Sequence, residues 1–185
     1  HTFTTKKERD YMSDKILISE PHFNSMVLIK SWPDSSEIMN KILEKYLSLS
    51  QLPKVGEFIF QDNIYCATLS PGHIMLFSFR ENLCPEITKI ILPEIAAIID
   101  VSHSRRGLRI QGKSSTNLLN KGIAINLSED NFPELGVLQS SIHSIGIILL
   151  KLEPNNYLIF SYRSFFDSFY AWVIDSAKEY GYALS

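Results

Sequence analysis

Cysteine is scarce in this sequence: Cys66 and Cys84 are the only two in 185 residues. Two thiols cannot make a disulfide framework. Their settings, an apolar run and a helix start, fit free, buried or half-buried thiols in a reducing cytoplasm. Long apolar runs are also missing. Ile145–Leu150 is the longest, far short of the roughly 20 residues a membrane span needs, and no apolar stretch near residue 1 suggests a signal peptide. The expectation is a soluble, cytoplasmic protein. Charge of one sign is lacking too, since the formal net charge is −2, so nothing draws the chain as a whole to nucleic acid or anionic lipid. There is no Gly-x-Gly-x-x-Gly and no Gly-x-x-x-x-Gly-Lys, hence no recognisable cradle for nucleotide phosphates. The five histidines show no i, i+4 pair and stand near no cysteine pair, so no metal site is expected.

What is present is an ordinary core composition, 45% hydrophobic and 21% charged, in a chain long enough for one domain. Residues 1–14, with the run Lys6-Lys7-Glu8-Arg9-Asp10, read as an N-terminal arm or leader, and residues 15–185 as the domain. The best-specified segment is Ser161–Gly181. Ser164 and Asp167 have the spacing of an N-cap and its acidic companion, and Gly181 suits the left-handed stop of a helix. Between them Phe165, Phe169, Trp172, Val173, Ala177 and Tyr180 form an apolar stripe. Phe166, Tyr170 and Ile174 widen it beyond what one sheet covers, so Phe166 and Tyr170 are the candidate subunit-interface residues.

Upstream, Met26–Trp32 reads as a strand ended by Pro33, followed by a helix capped by Asp34 and Glu37 with the stripe Ile38, Ile42, Leu43, Tyr46, Leu47. Strands follow at Glu57–Phe60, Asn63–Leu69 and His73–Arg80, the last two separated by Pro71-Gly72. Cys84-Pro85 then opens a helix limited by Pro93. Ile98–His103 and Leu108–Gln111 look like a hairpin about Ser104–Gly107, followed by a helix over Ser115–Lys121 that Gly122 ends. Strands at Val137–Ser141, Ile145–Glu153 and Tyr157–Arg163 precede the last helix. At an offset of 83 residues, Leu69, Pro71, Phe77, Ser78 and Arg80 coincide with Leu152, Pro154, Phe160, Ser161 and Arg163. Identities that dense point to an internal duplication. The expected fold is α+β, built from two repeats at about residues 20–95 and 96–185, each reading strands, helix, three strands, helix.

The polar residues suggest no catalysis. Asp100, Ser102 and His103 are the residue types of a nucleophile triad, but neighbours on a strand point to alternate faces and cannot converge. Arg105, Arg106 and Arg109 form a basic cluster whose ordinary reading is a solvated turn, with an anion or subunit contact as the alternative.

Several short motifs in order carry a resemblance. Arg163-Ser-Phe-Phe-Asp-Ser-Phe-Tyr-Ala-Trp172 and Glu179-Tyr-Gly181 resemble the C-terminal signature of the gamma subunit of heterotetrameric sarcosine oxidase. Asp100-Val-Ser-His103, Leu108–Gly112, Leu118–Gly122, Ile125-Asn-Leu127 and Phe132-Pro133 are similar to the same family in the same order. Ile123-Ala124 stand where that family usually has Cys-Pro, and Val137-Leu138 where small residues and Cys are common. The resemblance implies duplicated β2-α-β3-α units in a fold like the folate-binding domain of the glycine-cleavage T-protein. It implies a non-catalytic subunit of a complex that demethylates sarcosine to glycine, passing the one-carbon unit to tetrahydrofolate or releasing formaldehyde. FAD, FMN, NAD, tetrahydrofolate and zinc would then lie on the alpha, beta and delta partners, with no cofactor in this chain. The alternative is a free-standing folate-binding or aminomethyltransferase-like protein, in which Asp100 and Arg109 are conceivable ligands of the pterin and the glutamyl tail.

Overall fold

A computed structural model describes residues 15–185; the expected arm at residues 1–14 lies outside the described residues. The strands are β1 (Ile16–Ser19), β2 (Ser25–Ser31), β3 (Phe58–Gln61), β4 (Ile64–Ser70), β5 (His73–Ser78), β6 (Ala96–Asp100), β7 (Arg105–Gln111), β8 (Val137–Ile142), β9 (Ile145–Glu153), β10 (Asn156–Tyr162) and β11 (Tyr182–Leu184). The helices are α1 (Ser36–Tyr46), α2 (Leu83–Ile90), α3 (Ser115–Asn120) and α4 (Arg163–Ala177). In chain order this is β-β-α-β-β-β-α, then the same again, then β11. The α+β class is thus observed.

The strands form two sheets, with orders β11-β1-β7-β10-β9-β8 and β3-β4-β5-β2-β6. By contacts the chain separates into two compact units. One holds the segment up to Pro21, Arg106–Glu134 and Gln139–Ser185; the other holds His22–Arg105 and Leu135–Leu138. The expected β6–β7 hairpin does not form. β6 pairs antiparallel with β2, Val27 opposite Asp100, while β7 pairs with β1 in the other sheet, Leu17 opposite Gln111. Each strand finds a distant partner whose apolar face matches its own, and the Val101–Ser104 turn becomes the crossing between sheets. β1 and β11, each too short to show a sequence pattern, pair in parallel through Ile16 and Tyr182.

In the five-stranded unit Val27, Ile29, Ile64, Cys66, Ile74 and Leu76 point to the face covered by Met39 and Leu43 of α1 and by Leu83 and Ile87 of α2. The buried stripe of α1 is therefore Met39, Leu43, Leu47, and the expected Ile38 is 53% exposed. Pro71-Gly72 does turn β4 into β5: Gly72 has φ +71°, and a Cβ there would lie 2.4 Å from Ser31 Oγ. No other residue fits that approach.

In the six-stranded unit β10 runs straight into α4, Tyr162 in an extended conformation being the N-cap. The cap position falls on Tyr162, whose side chain makes no capping bond, so Ser164 lies within the first turn and is not the N-cap. Asp34 likewise makes no cap on α1, which starts at Ser36 behind Ser35. The buried face of α4 is Phe166, Phe169, Val173 and Ala177, rotated from the expected stripe: Phe165 is 52% exposed and Phe166 1%. Gly122 lies beside Trp172, where a Cβ would come within 2.5 Å of the indole. Its role is close approach of α3 to α4, not a left-handed stop.

This assignment separates two neighbouring rings. Phe169→Ala should cost about 3–5 kcal/mol in urea unfolding through the cavity it leaves. Phe165→Ala should change stability by no more than about 0.5 kcal/mol.

Candidate functional site

The two residues singled out on α4 meet at one cleft of the six-stranded unit, about 320 Å³ in volume. Its walls are Ile18 and Ser19 of β1 with Glu20 just after it, Arg106 of β7, Leu184 of β11, and Phe166, Asp167 and Tyr170 of α4. Phe166 and Tyr170, one helical turn apart, stack with ring centroids 6.2 Å apart and planes at 26°. The Arg106 guanidinium lies over the Phe166 ring, 3.8 Å from its centroid. The same guanidinium donates through Nε to Glu20 Oε1 at 2.7 Å and through Nη2 to Glu20 Oε2 at 2.9 Å, with Nη1 3.4 Å from Asp167 Oδ1. The hydrogen bonds to Glu20 hold the Arg106 pKa above its ordinary value. It is charged throughout the working range.

Phe166 is correspondingly enclosed within its own unit and is not available as a surface anchor, which corrects the expected division of roles on α4. Its ring is the floor on which Arg106 rests. Tyr170 is half-buried at the wall, and Asp167 is almost wholly exposed, at 97% of its side-chain area. One guanidinium, two carboxylates and two rings make no nucleophile–base pair. The cleft offers a partner an aromatic edge and an open carboxylate, the makings of a contact surface.

The arginine cluster is divided. Alternation along β7 sends Arg105 and Arg106 to opposite faces, and Arg109 donates through Nε to Asn156 Oδ1 at 3.1 Å. What the sequence could not show was Glu20, 86 positions from Arg106; no local pattern pairs residues that far apart.

The triad-like trio is a turn. Asp100 Oδ1 accepts from Ser102 N at 2.9 Å and from Ser102 Oγ at 2.6 Å, while Ser102 Oγ accepts from Met26 N at 2.9 Å. Its hydroxyl is engaged in joining β2 to the end of β6. Those hydrogen bonds from Ser102 depress the Asp100 pKa. Asp100 belongs to the five-stranded unit and Arg109 to the six-stranded one, and both have intramolecular partners. Burial pushes the Cys66 thiol up to about 12 and raises Cys84 as well, so neither is poised as a thiolate. Among the described residues no three His, Cys, Asp or Glu side chains are grouped to hold a metal ion, and no helix is long and apolar enough to cross a membrane.

No protein-family model matches this sequence, and no curated protein matches it. Solved structures do. A chain of heterotetrameric sarcosine oxidase from Corynebacterium sp. U-96, in complex with pyrrole 2-carboxylate, superposes with a TM-score of 0.80 at 20% identity, over 92% of this chain and 88% of that one. The two share one fold. The glycine cleavage system aminomethyltransferase T from Bartonella henselae superposes with a TM-score of 0.67 at 13% identity, over 92% of this chain. This chain spans about half the length of that protein, 49%. The fold is therefore that of a sarcosine oxidase chain and of a T-protein domain.

Two measurements test the site. Phe166→Ala should lose about 3–5 kcal/mol of unfolding free energy, whereas Tyr170→Ala, at a half-exposed ring, should lose about 1 kcal/mol. In a carboxyl NMR titration Asp100 should titrate below its ordinary 3.8, and Ser102→Ala, which removes the hydroxyl but keeps the backbone N–H, should bring it part of the way back. Because the folded value is the lower one, its contribution to stability is complete above the unfolded value and is lost as pH falls through the folded value.

Proposed function

We propose that this chain is a gamma-type, non-catalytic subunit of a sarcosine-oxidase-like assembly, whose alpha, beta and delta-type partners carry FAD, FMN, NAD, tetrahydrofolate and zinc. The observation that carries the reading is extent. The shared fold takes in 88% of the sarcosine oxidase chain but only 49% of the aminomethyltransferase, so 92% of this chain corresponds to most of one member of a complex. The near-exact alternation of β-β-α-β-β-β-α halves, with Pro71 and Pro154 at equivalent hairpins, supports duplicated β2-α-β3-α units as the origin of the fold. The polar residues singled out in the sequence serve as structural contacts, in the Asp100–Ser102 turn and the Arg106–Glu20 pair, which fits a role in contacts with other chains.

The complex would oxidise sarcosine to glycine, with the one-carbon unit going to tetrahydrofolate or released as formaldehyde. Co-expression with candidate alpha-, beta- and delta-type chains, followed by size-exclusion chromatography, should give a single assembly containing this chain and oxidising sarcosine. Elution of this chain alone, together with saturable micromolar binding of tetrahydrofolate to it in calorimetry, would replace this reading with a free-standing folate-binding protein.

A further inference from the structure

A second surface belongs to the five-stranded unit. Ile42 and Tyr46 of α1 and Ile90 of α2 line an open, mostly apolar groove of about 440 Å³, with Lys45 at its lip. Helical spacing extends the apolar row one turn back to Ile38, 53% exposed, and beyond α2 lies Leu92, 57% exposed. Isolated exposed aliphatics need no explanation, but a row of them along a groove between two helices marks a contact surface.

The near rim of this groove carries lysine. Its own acid, Glu86, accepts from the Tyr46 hydroxyl and from Arg80 Nη2, the latter at 2.9 Å, so that carboxylate is already neutralised. On α1 the helical wheel puts Lys41 and Lys45 on the solvent side of the Ile38–Ile42–Tyr46 row. Glu37 and Glu44 lie around the far side, and Glu44 accepts from the Leu52 amide at 3.1 Å. Lys89 stands on the outer side of α2. Lys41, Lys45 and Lys89 make no ion pair or side-chain hydrogen bond among the described residues. An apolar floor between unpaired ammonium groups is complementary to a helix with apolar residues at i and i+4 and carboxylates on its flanks.

We infer that the α1–α2 groove receives an acidic amphipathic helix of a partner chain. This deepens the assembly reading and rests on it. Desolvated Ile42, Tyr46 and Ile90 supply the holding contact, and the three lysines select against basic or neutral segments.

Incorporating a photo-crosslinking phenylalanine analogue in place of Ile90, in the full chain co-expressed with the same candidate partners, tests this directly. The expected product is a crosslink to a partner segment that is helical, acidic and amphipathic by peptide mapping. In the same assembly Ile42→Ser with Ile90→Ser should reduce co-elution about tenfold, and Lys41→Glu with Lys45→Glu should weaken it while leaving the unfolding midpoint of the isolated chain in place. A crosslink to a second copy of this chain, to a neutral or basic segment, or to nothing while assembly stays intact would overturn the groove assignment alone. Failure to assemble before any substitution would instead remove the subunit reading, and this inference with it.

Discussion

The β9–β10 hairpin is the constraint on which the six-stranded unit depends. Its strands bury residues on both faces: Ile147–Lys151 and Asn156–Ser161 are continuously enclosed, with Leu149 opposite Ile159 and Leu150 opposite Leu158. A strand buried on both faces cannot be an edge, so the hairpin is forced to the inside of its sheet, flanked by β7 on one side and β8 on the other. Such a pair also encloses polar groups, each of which requires a partner. Lys151 Nζ donates to the Phe132 carbonyl at 2.8 Å, the Tyr157 hydroxyl meets Thr116 Oγ1 at 2.6 Å, and Asn156 bridges Glu153 and Arg109. No buried side-chain nitrogen or oxygen among the described residues lacks a partner. These bonds tie α3 and the loop before β8 to the hairpin.

Helix α4 inherits its position from the same hairpin. Since β10 enters it without a turn, the direction of the strand sets the rotation of the helix, and the sheet admits Phe166, Phe169, Val173 and Ala177. Phe166 in turn sets Arg106, whose guanidinium lies over the ring and is held by Glu20. The cation–π contact and the paired carboxylate are each modest, roughly 0.5–1 kcal/mol at a part-exposed site. Their joint effect is geometric: they fix a rigid wall beside Tyr170. The α1–α2 groove differs in kind, with an apolar floor and, at its lip, Lys45, which makes no ion pair among the described residues.

The places where sequence and structure part are those where two answers satisfy the local rules. Phe165 can head an i, i+4, i+7 series through Phe169 and Trp172, and Phe166 an i, i+3, i+7 series through Phe169 and Val173; only the strand entering at Tyr162 chooses between them. Ile98–His103 and Leu108–Gln111 are good strands a turn apart, which is a hairpin by every short-range criterion. Yet β6 pairs over five residues with β2 and β7 joins β1 in the other sheet, and burial over a whole sheet outweighs the convenience of a short loop. On the candidate site, Tyr170 could be read from its place on a widened helix face. Glu20 and the pairing that makes Arg106 part of the site could not, because that contact joins residues 86 positions apart.

By itself the sequence determined the class and the element order. Strand runs such as Ile145–Glu153, the Pro71-Gly72 turn and the 83-residue echo between the halves act through propensity and periodicity, which are local and survive without knowledge of neighbours. The tertiary structure alone decided which sheet β1 and β6 join, which aromatic ring of α4 is buried, and which charges are cancelled. Those outcomes depend on the packing of surfaces distant in the chain, where burial and Coulomb energy are set by what lies opposite a residue and not by what adjoins it.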